Sequence, residues 1–413
     1  MTTAPVQTTP TARAHQPARW PIEPGLTMLN HGSYGVCPEY IHERQSELRR
    51  EMDADPVKFF LHKLEAYADR ARVALGSFIN ADPADLALVQ NGTFAVATCL
   101  HAIDWQPGDR VVVTDHEYNA TLNELNRLVR TKGIEVVHAK VPLPCTGPDQ
   151  IAAAVEAQIN DKTKLVIASH IASASALVMP VEQIVHTCRE KGIEVLIDGA
   201  HAPGQIPLDL KALRPTYYAA SCHKWLCTPK GAAFFYADKS VHHKVQPLAL
   251  SCRVHESRDD RAPFLCDFDY VGTGDYTAFL TLPDCIEHLA AQRPGGWDQI
   301  RTENHQMVLA GARTIRETCD LPETYPDHLA DHMTGCMYSL LLPPDPDPSR
   351  KTRYADALHD RIIERHNVQV PIWTLETAGV RVARISAQIH NRPEQYEYFA
   401  EALRTELEAE RTL

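Results

Sequence analysis

The chain has 413 residues, 44% of them hydrophobic and 23% charged, a composition typical of a soluble globular protein too long for one ordinary domain. Its formal net charge of −12 argues against nucleic acid and anionic membrane surfaces as partners, and no apolar run reaches transmembrane length. Eleven cysteines are scattered without a Cys-x-x-Cys pair, which points to reduced thiols in the cytoplasm and away from a disulfide framework or a zinc site.

Residues 1–20 are rich in Thr, Ala, Pro and Arg and read as a disordered tail, or as an arm that orders on a partner subunit. The stretch from Asn30 to Gly35, with two glycines and Pro38 close behind, reads as a loop and not a helix. Helical patterns follow over 39–53 and 58–79. Strands and helices then alternate. Strands are expected at 88–90, 110–114, 134–141, 164–169, 193–198, 217–221 and 231–236. The helices between them are expected at 93–102, 118–132, 149–160 and 181–191. This alternation predicts a mainly parallel sheet covered by helices on both faces. Such sheets bind ligands beyond the carboxyl ends of their strands, where Asp115, His170 and Asp198 fall.

After about residue 276 the pattern changes. A long helix is expected over 297–319 and a strand over 336–342, followed by the breaker Pro343-Pro-Asp-Pro-Asp-Pro. A helix at 353–366, strands near 368–373 and 380–385, and a last helix at 393–408 complete a smaller α+β unit. The expected division is a tail over 1–20, a large α/β domain over 21–275 and a small domain over 276–413.

Two stretches carry the chemistry. Val195-Leu-Ile-Asp198-Gly-Ala-His201-Ala reads as a buried strand that delivers an aspartate at its end. Ser221-Cys-His223-Lys224-Trp places a lysine in a later turn. A strand-end Asp followed by such a Lys is what pyridoxal 5′-phosphate (PLP) needs: a carboxylate to keep the pyridine nitrogen protonated and an amine to bond the aldehyde. Either residue alone has an ordinary structural reading. Asn91-Gly92-Thr93 joins a strand to a helix, and Thr93 is a good N-cap type. That helix start suits an anion, although a plain capped helix explains it as well. Ser221 and His223 flank the lysine and can donate to the same anion. His328 and His332 lie four apart, but beside Asp residues on a polar stretch they read as solvated surface and not as metal ligands.

Asp198-Gly-Ala-His-Ala and Ser221-Cys-His-Lys224-Trp resemble the class V aminotransferase family of fold-type I PLP enzymes, most closely its isopenicillin N epimerase-like branch. Leu29-Asn-His31-Gly-Ser-Tyr34-Gly and Thr114-Asp-His-Glu-Tyr118-Asn-Ala resemble the same branch. The likeness runs from about residue 28 to about residue 405. It implies PLP held by Lys224 and Asp198, with its phosphate at Asn91, Gly92, Thr93, Ser221 and His223. It also implies a homodimer with shared sites, in which Gly272 and Thr273 reach the partner's phosphate. Tyr118 would stack on the cofactor ring, and His170 and His201 are candidates to meet the ring oxygen. Arg384 would bind the substrate's α-carboxylate, while His31 and Tyr34 would line the substrate mouth.

Catalysis would begin with Lys224 as base at Cα, with Asp198 and Tyr118 as the other catalytic groups. The branch holds enzymes that cleave C–S bonds, epimerise, or decarboxylate and oxidatively deaminate. C–S cleavage of an S-substituted cysteine in specialised metabolism is the expectation, with epimerisation second. A PLP-fold binding protein without activity is disfavoured by the presence of both Lys224 and Asp198. Cys222 and the Ser173-Ala-Ser-Ala176 turn depart from the branch's usual pattern.

Overall fold

The computed structural model describes residues 12–254, 258–375 and 379–411. A seven-stranded sheet runs in the order Leu86–Val89, Ala233–Ala237, Tyr217–Ser221, Glu194–Asp198, Thr163–Ser169, Arg110–Thr114, Glu135–Ala139. Only Ala233–Ala237 runs against its neighbours; the other pairings are parallel. The expected mainly parallel sheet is therefore present, and each of its strands lies close to where the sequence placed it.

The strand sequences explain their burial. Leu165, Val166, Ile167 and Ala168 are all fully buried, as a strand covered on both faces requires. Successive residues point to opposite faces, so the sheet feeds two cores. Val112, Val166, Val195, Ile197, Tyr218 and Phe234 pack on one side. Val111, Val113, Leu165, Ile167, Leu196 and Phe235 pack on the other.

A second, antiparallel sheet joins Ile372–Leu375, Val380–Ser386 and Met337–Leu342. Helices Gly296–Cys319 and Pro393–Glu410 cover it, as the sequence led us to expect. The strand expected over 368–373 splits in two. Val368–Gln369 pairs in parallel with Thr27–Met28, and Pro371, which has no N–H to give a ladder, separates it from Ile372–Leu375. Three helices, Pro263–Asp269, Thr277–Leu280 and Leu282–Ala290, fall where no element was assigned.

The Asn30–Gly35 stretch is also corrected. Residues His31–Tyr34 form one helical turn, closed by Gly35 donating to the His31 carbonyl at 2.8 Å. Of the expected tail, residues 12–20 are placed against helix Leu282–Ala290. His288 Nδ1 meets the Ala14 carbonyl at 2.8 Å, and Ala18 donates to Gln292 Oε1 at 2.7 Å. Residues 1–11 lie outside the described residues. Among the described residues no helix is long and apolar enough to cross a membrane.

Candidate active site

The parallel strands bring Thr114, Ser169, Asp198 and Ser221 to one edge of the sheet, where each ends its strand. A cavity opens there. Asn91, Gly92, Thr93, Ser221, His223 and Lys224 border it, and so do Asp198, His201, Tyr118 and Tyr34. Ten residues assigned from sequence, scattered over almost two hundred positions, thus share one space.

Asp198 is buried and its Oδ1 accepts from the Ala200 N–H at 3.0 Å. Burial raises its pKa, while that backbone bond and the Lys224 charge oppose the rise. Lys224 Nζ lies 3.1 Å from His201 Nε2. Burial, reinforced by the Arg384 charge, lowers the Lys224 pKa to about 8, with Asp198 pulling the other way. Tyr118 and Tyr34 are exposed at the mouth.

The N-cap of helix Gly92–Ala102 is Asn91 and not Thr93. Asn91 Oδ1 accepts from the Phe94 N–H at 2.8 Å, which leaves Thr93 bordering the cavity without the capping task. A Cβ built on Gly92 would stand 3.2 Å from Ser221 Oγ, so glycine keeps this cradle open. Backbone N–H groups at the helix start, two hydroxyls and His223 form a donor set suited to a phosphate. With Lys224 and the buried Asp198 across the same cavity, the residues fit PLP.

Arg384 borders an adjoining chamber that shares Ser33, Tyr34, Tyr118, Ser173 and Lys224 with the first cavity. Its Nη1 donates to the Ser173 carbonyl at 2.6 Å and to Ser173 Oγ at 3.1 Å. Its Nη2 donates to Ser33 Oγ at 2.9 Å and Asn30 Oδ1 at 3.3 Å. Nε has no partner among the described residues, and the guanidinium sits over the Trp373 ring at 5.2 Å. None of these partners is acidic. Burial without a counter-charge lowers the Arg384 pKa to about 10. Arg381, three residues earlier, lies on the opposite face of the strand and pairs with Asp356 and Glu410, so of the two Arg384 borders the chamber.

Several sequence-assigned residues fall elsewhere. His31 does not line the mouth. The helical turn carries it inward, where it is fully buried and its Nε2 sits 3.0 Å from the Lys224 carbonyl. His170 borders neither cavity, and its Nδ1 lies 2.9 Å from Tyr218 Oη. Gly272 and Thr273, expected to reach a partner's site, border neither cavity of their own chain. Thr273 Oγ1 lies 2.9 Å from Tyr270 Oη on an exposed loop. Sequence reasoning missed Asn30, Ser33 and Ser173, which hold Arg384. It also missed Glu117, whose carboxylate accepts from Thr114 Oγ1 and from Ser169 N and Oγ at 2.6–3.0 Å. Asn30, Ser33 and Glu117 were in view within the motif stretches, but nothing local told which side chain they would meet.

A sheet of this topology, with a strand-end Asp and a cavity Lys at its carboxyl edge, defines a fold-type I PLP enzyme. Residues 41–318 match the family model for aminotransferase class-V, and the chain belongs to that family. A putative L-cysteine desulfhydrase of Oryza sativa subsp. japonica is 28% identical over 92% of this chain and 83% of its own. The isopenicillin N epimerase of Streptomyces clavuligerus is 28% identical over 92% of this chain and 95% of its own. Among solved structures, a cystine C–S lyase in complex with cysteine persulfide superposes with a TM-score of 0.76 at 20% identity, covering 92% of this chain and 98% of that one. A cysteine desulfurase of Thermococcus onnurineus NA1 gives 0.74 at 15% identity, covering 98% and 99%.

Proposed function

We propose that the protein cleaves the C–S bond of an S-substituted L-cysteine by β-elimination, releasing pyruvate, ammonia and a thiol. The observation that carries an amino acid substrate is Arg384: a buried guanidinium with no acidic partner among the described residues, in a chamber continuous with Lys224. Its fork suits a planar carboxylate.

When bound, PLP supplies an electron sink for the pair of electrons left at Cα after proton removal. Lys224 Nζ is the base that takes the Cα proton. Asp198 would keep a proton on the cofactor's ring nitrogen, the start of helix Gly92–Ala102 would hold its phosphate, and Tyr118 would supply an aromatic ring at the mouth. The Cβ–S bond then breaks with its electrons leaving on sulfur, and a proton converts the thiolate to the thiol. Water finally hydrolyses the released enamine to pyruvate and ammonia.

Elimination needs one base, whereas epimerisation by proton exchange needs a second acid on the far face. The imidazole nearest the base stands on the base's own side and not opposite it, which favours elimination. His201 stands beside Lys224, and His223 Nδ1 lies 3.1 Å from the Ala232 carbonyl. The names of the desulfhydrase relatives and of the C–S lyase neighbour support the same choice. Epimerisation is the second reading, supported by the epimerase relative and by the Tyr34 and Tyr118 rings at the mouth. The assembly we propose is a homodimer in which Gly272 and Thr273 reach the partner's phosphate.

The test is to incubate holoenzyme with an S-substituted L-cysteine and assay pyruvate, ammonia and thiol. Equal yields of the three are expected. Recovery of the D-amino acid with its skeleton intact would replace elimination with epimerisation, and carbon dioxide with an aldehyde would replace it with decarboxylative deamination.

A further inference from the structure

The chamber that holds Arg384 is larger than a cysteine side chain requires. It encloses about 550 Å³, within the roughly 300–1,000 Å³ typical of sites for drug-sized ligands. With the carboxylate on Arg384 and Cα beside Lys224, the remaining volume is left for whatever follows sulfur.

The walls describe that group. Leu122, Ala174, Ala355, Trp373 and Leu375 give an apolar surface, with the Tyr118 ring at its entrance. The Arg384 guanidinium lies 5.2 Å from the centre of the Trp373 ring, which ties this wall to the carboxylate end of the chamber. Beyond the apolar surface lie Asp115 and His116. Asp115 is engaged by the Val141 N–H at 2.9 Å and by Lys140 at 3.6 Å. His116 is buried, with its Nδ1 2.9 Å from Ser175 Oγ and its Nε2 4.0 Å from Asp115 Oδ1.

We propose that this chamber receives a bulky S-substituent with an apolar face for the Trp373 and Leu375 wall, and that a large cysteine conjugate, not free cysteine, is the substrate. The inference rests on the lyase reading for its reaction but not for its size preference. Free cysteine leaves the Trp373 and Leu375 walls in contact with water, whereas an S-benzyl group covers them.

The experiment compares kcat/KM of the holoenzyme for L-cysteine, S-methyl-L-cysteine and S-benzyl-L-cysteine, in the native chain and in Ala355→Trp. Ala355 is exposed at the chamber rim, so the larger ring narrows the chamber without entering a packed core. Each apolar group accommodated in a pocket changes kcat/KM by about tenfold or more. The S-benzyl substrate is expected to exceed both others by at least tenfold, and Ala355→Trp is expected to cut the benzyl-to-methyl ratio by at least tenfold. Cysteine turned over as well as the benzyl conjugate, or a ratio that Ala355→Trp does not move, would overturn the proposal. Exchange of the Cα hydrogen in deuterated water, followed by NMR, separates the two readings. The same size order in exchange without pyruvate upholds the chamber and refutes only the lyase chemistry.

Discussion

Lys224 Nζ lies 3.1 Å from His201 Nε2, while the other ring nitrogen of His201 faces Trp225 Nε1 at 3.4 Å. An indole N–H only donates, so His201 Nδ1 accepts, and the imidazole carries its proton on Nε2. That proton points at the lysine, which must then offer a lone pair. Burial drives both groups toward their neutral forms: the His201 pKa falls well below its usual value and that of Lys224 to about 8. The pair makes the uncharged amine far easier to reach than it is for a solvated lysine.

Covalent attachment of PLP to the apoenzyme should therefore quicken as pH rises, because only the neutral amine reacts. The neutral fraction grows through about pH 8, the Lys224 value, and saturates above it. The rate of absorbance change after PLP addition, measured across pH 6.5–9.5 by stopped flow, checks this. A rate still climbing tenfold per unit at the alkaline end would mean that Lys224 titrates like a solvated lysine.

Borohydride treatment of the holoenzyme should fix the cofactor on Lys224, as peptide mapping would read. Lys224→Ala removes the covalent anchor and the base together, and turnover should fall by several powers of ten, on the order of 10³ or more. Near-normal turnover would assign the chemistry to a different lysine.

Arg384→Lys retains a charge but loses the fork that Ser173, Ser33 and Asn30 orient. A charge-assisted hydrogen bond contributes about 1.5–3 kcal/mol. KM for an amino acid substrate should rise roughly tenfold to a hundredfold, with PLP affinity unchanged. Equal losses in cofactor and substrate affinity would show that Arg384 serves the fold and not the carboxylate.

Gly35 sits at φ +69°, and a Cβ there would come 2.1 Å from the His223 carbonyl oxygen. Gly35→Ala must push the His31–Tyr34 turn away from the lysine loop. Asn30 and Ser33, which orient Arg384, move with that turn. A strained left-handed residue costs about 1–3 kcal/mol, so Tm should drop and KM should rise together. A variant with native Tm and native KM would show that the turn is loosely seated.

The parallel sheet was legible because buried strands announce themselves as continuous apolar runs, and Lys224 and Asp198 because their order and strand context are chemically specific. Strand alternation sets Arg381 and Arg384 on opposite faces, and the family resemblance pointed to Arg384 of the two. His31 could not be placed, because one helical turn within a glycine-rich stretch decides whether a side chain faces the mouth or the interior. His170 shows a related limit. A strand end specifies the position of a backbone, but Tyr218, forty-eight residues away, determines where the ring points. The helices over 263–290 were hidden because their register is set by packing on helix Leu64–Ile79, not by a repeating local pattern.

Glu117 gives the last prediction. It is buried, and burial raises its pKa from 4.5 to about 7, against the opposing hydrogen bonds from Thr114 and Ser169. Those bonds join the turn before Tyr118 to the end of strand Thr163–Ser169, so Glu117 positions the ring at the mouth. Because the folded chain holds this proton more tightly than the unfolded chain, stability falls as pH rises from about 4.5 and levels off above about 7. The gap between those two values corresponds to about 3 kcal/mol. Asp198 is shifted in the same direction and the buried histidines in the opposite one, so total stability does not isolate the effect. The difference between Glu117→Gln and the native chain does, because glutamine is neutral throughout. Chemical denaturation at pH 4.5 and pH 7.5 should show the variant gaining on the native chain by about 3 kcal/mol across that interval. A constant difference at the two pH values would mean that Glu117 ionises as an ordinary carboxylate, and that the hydrogen bonds from Thr114 and Ser169 offset its burial.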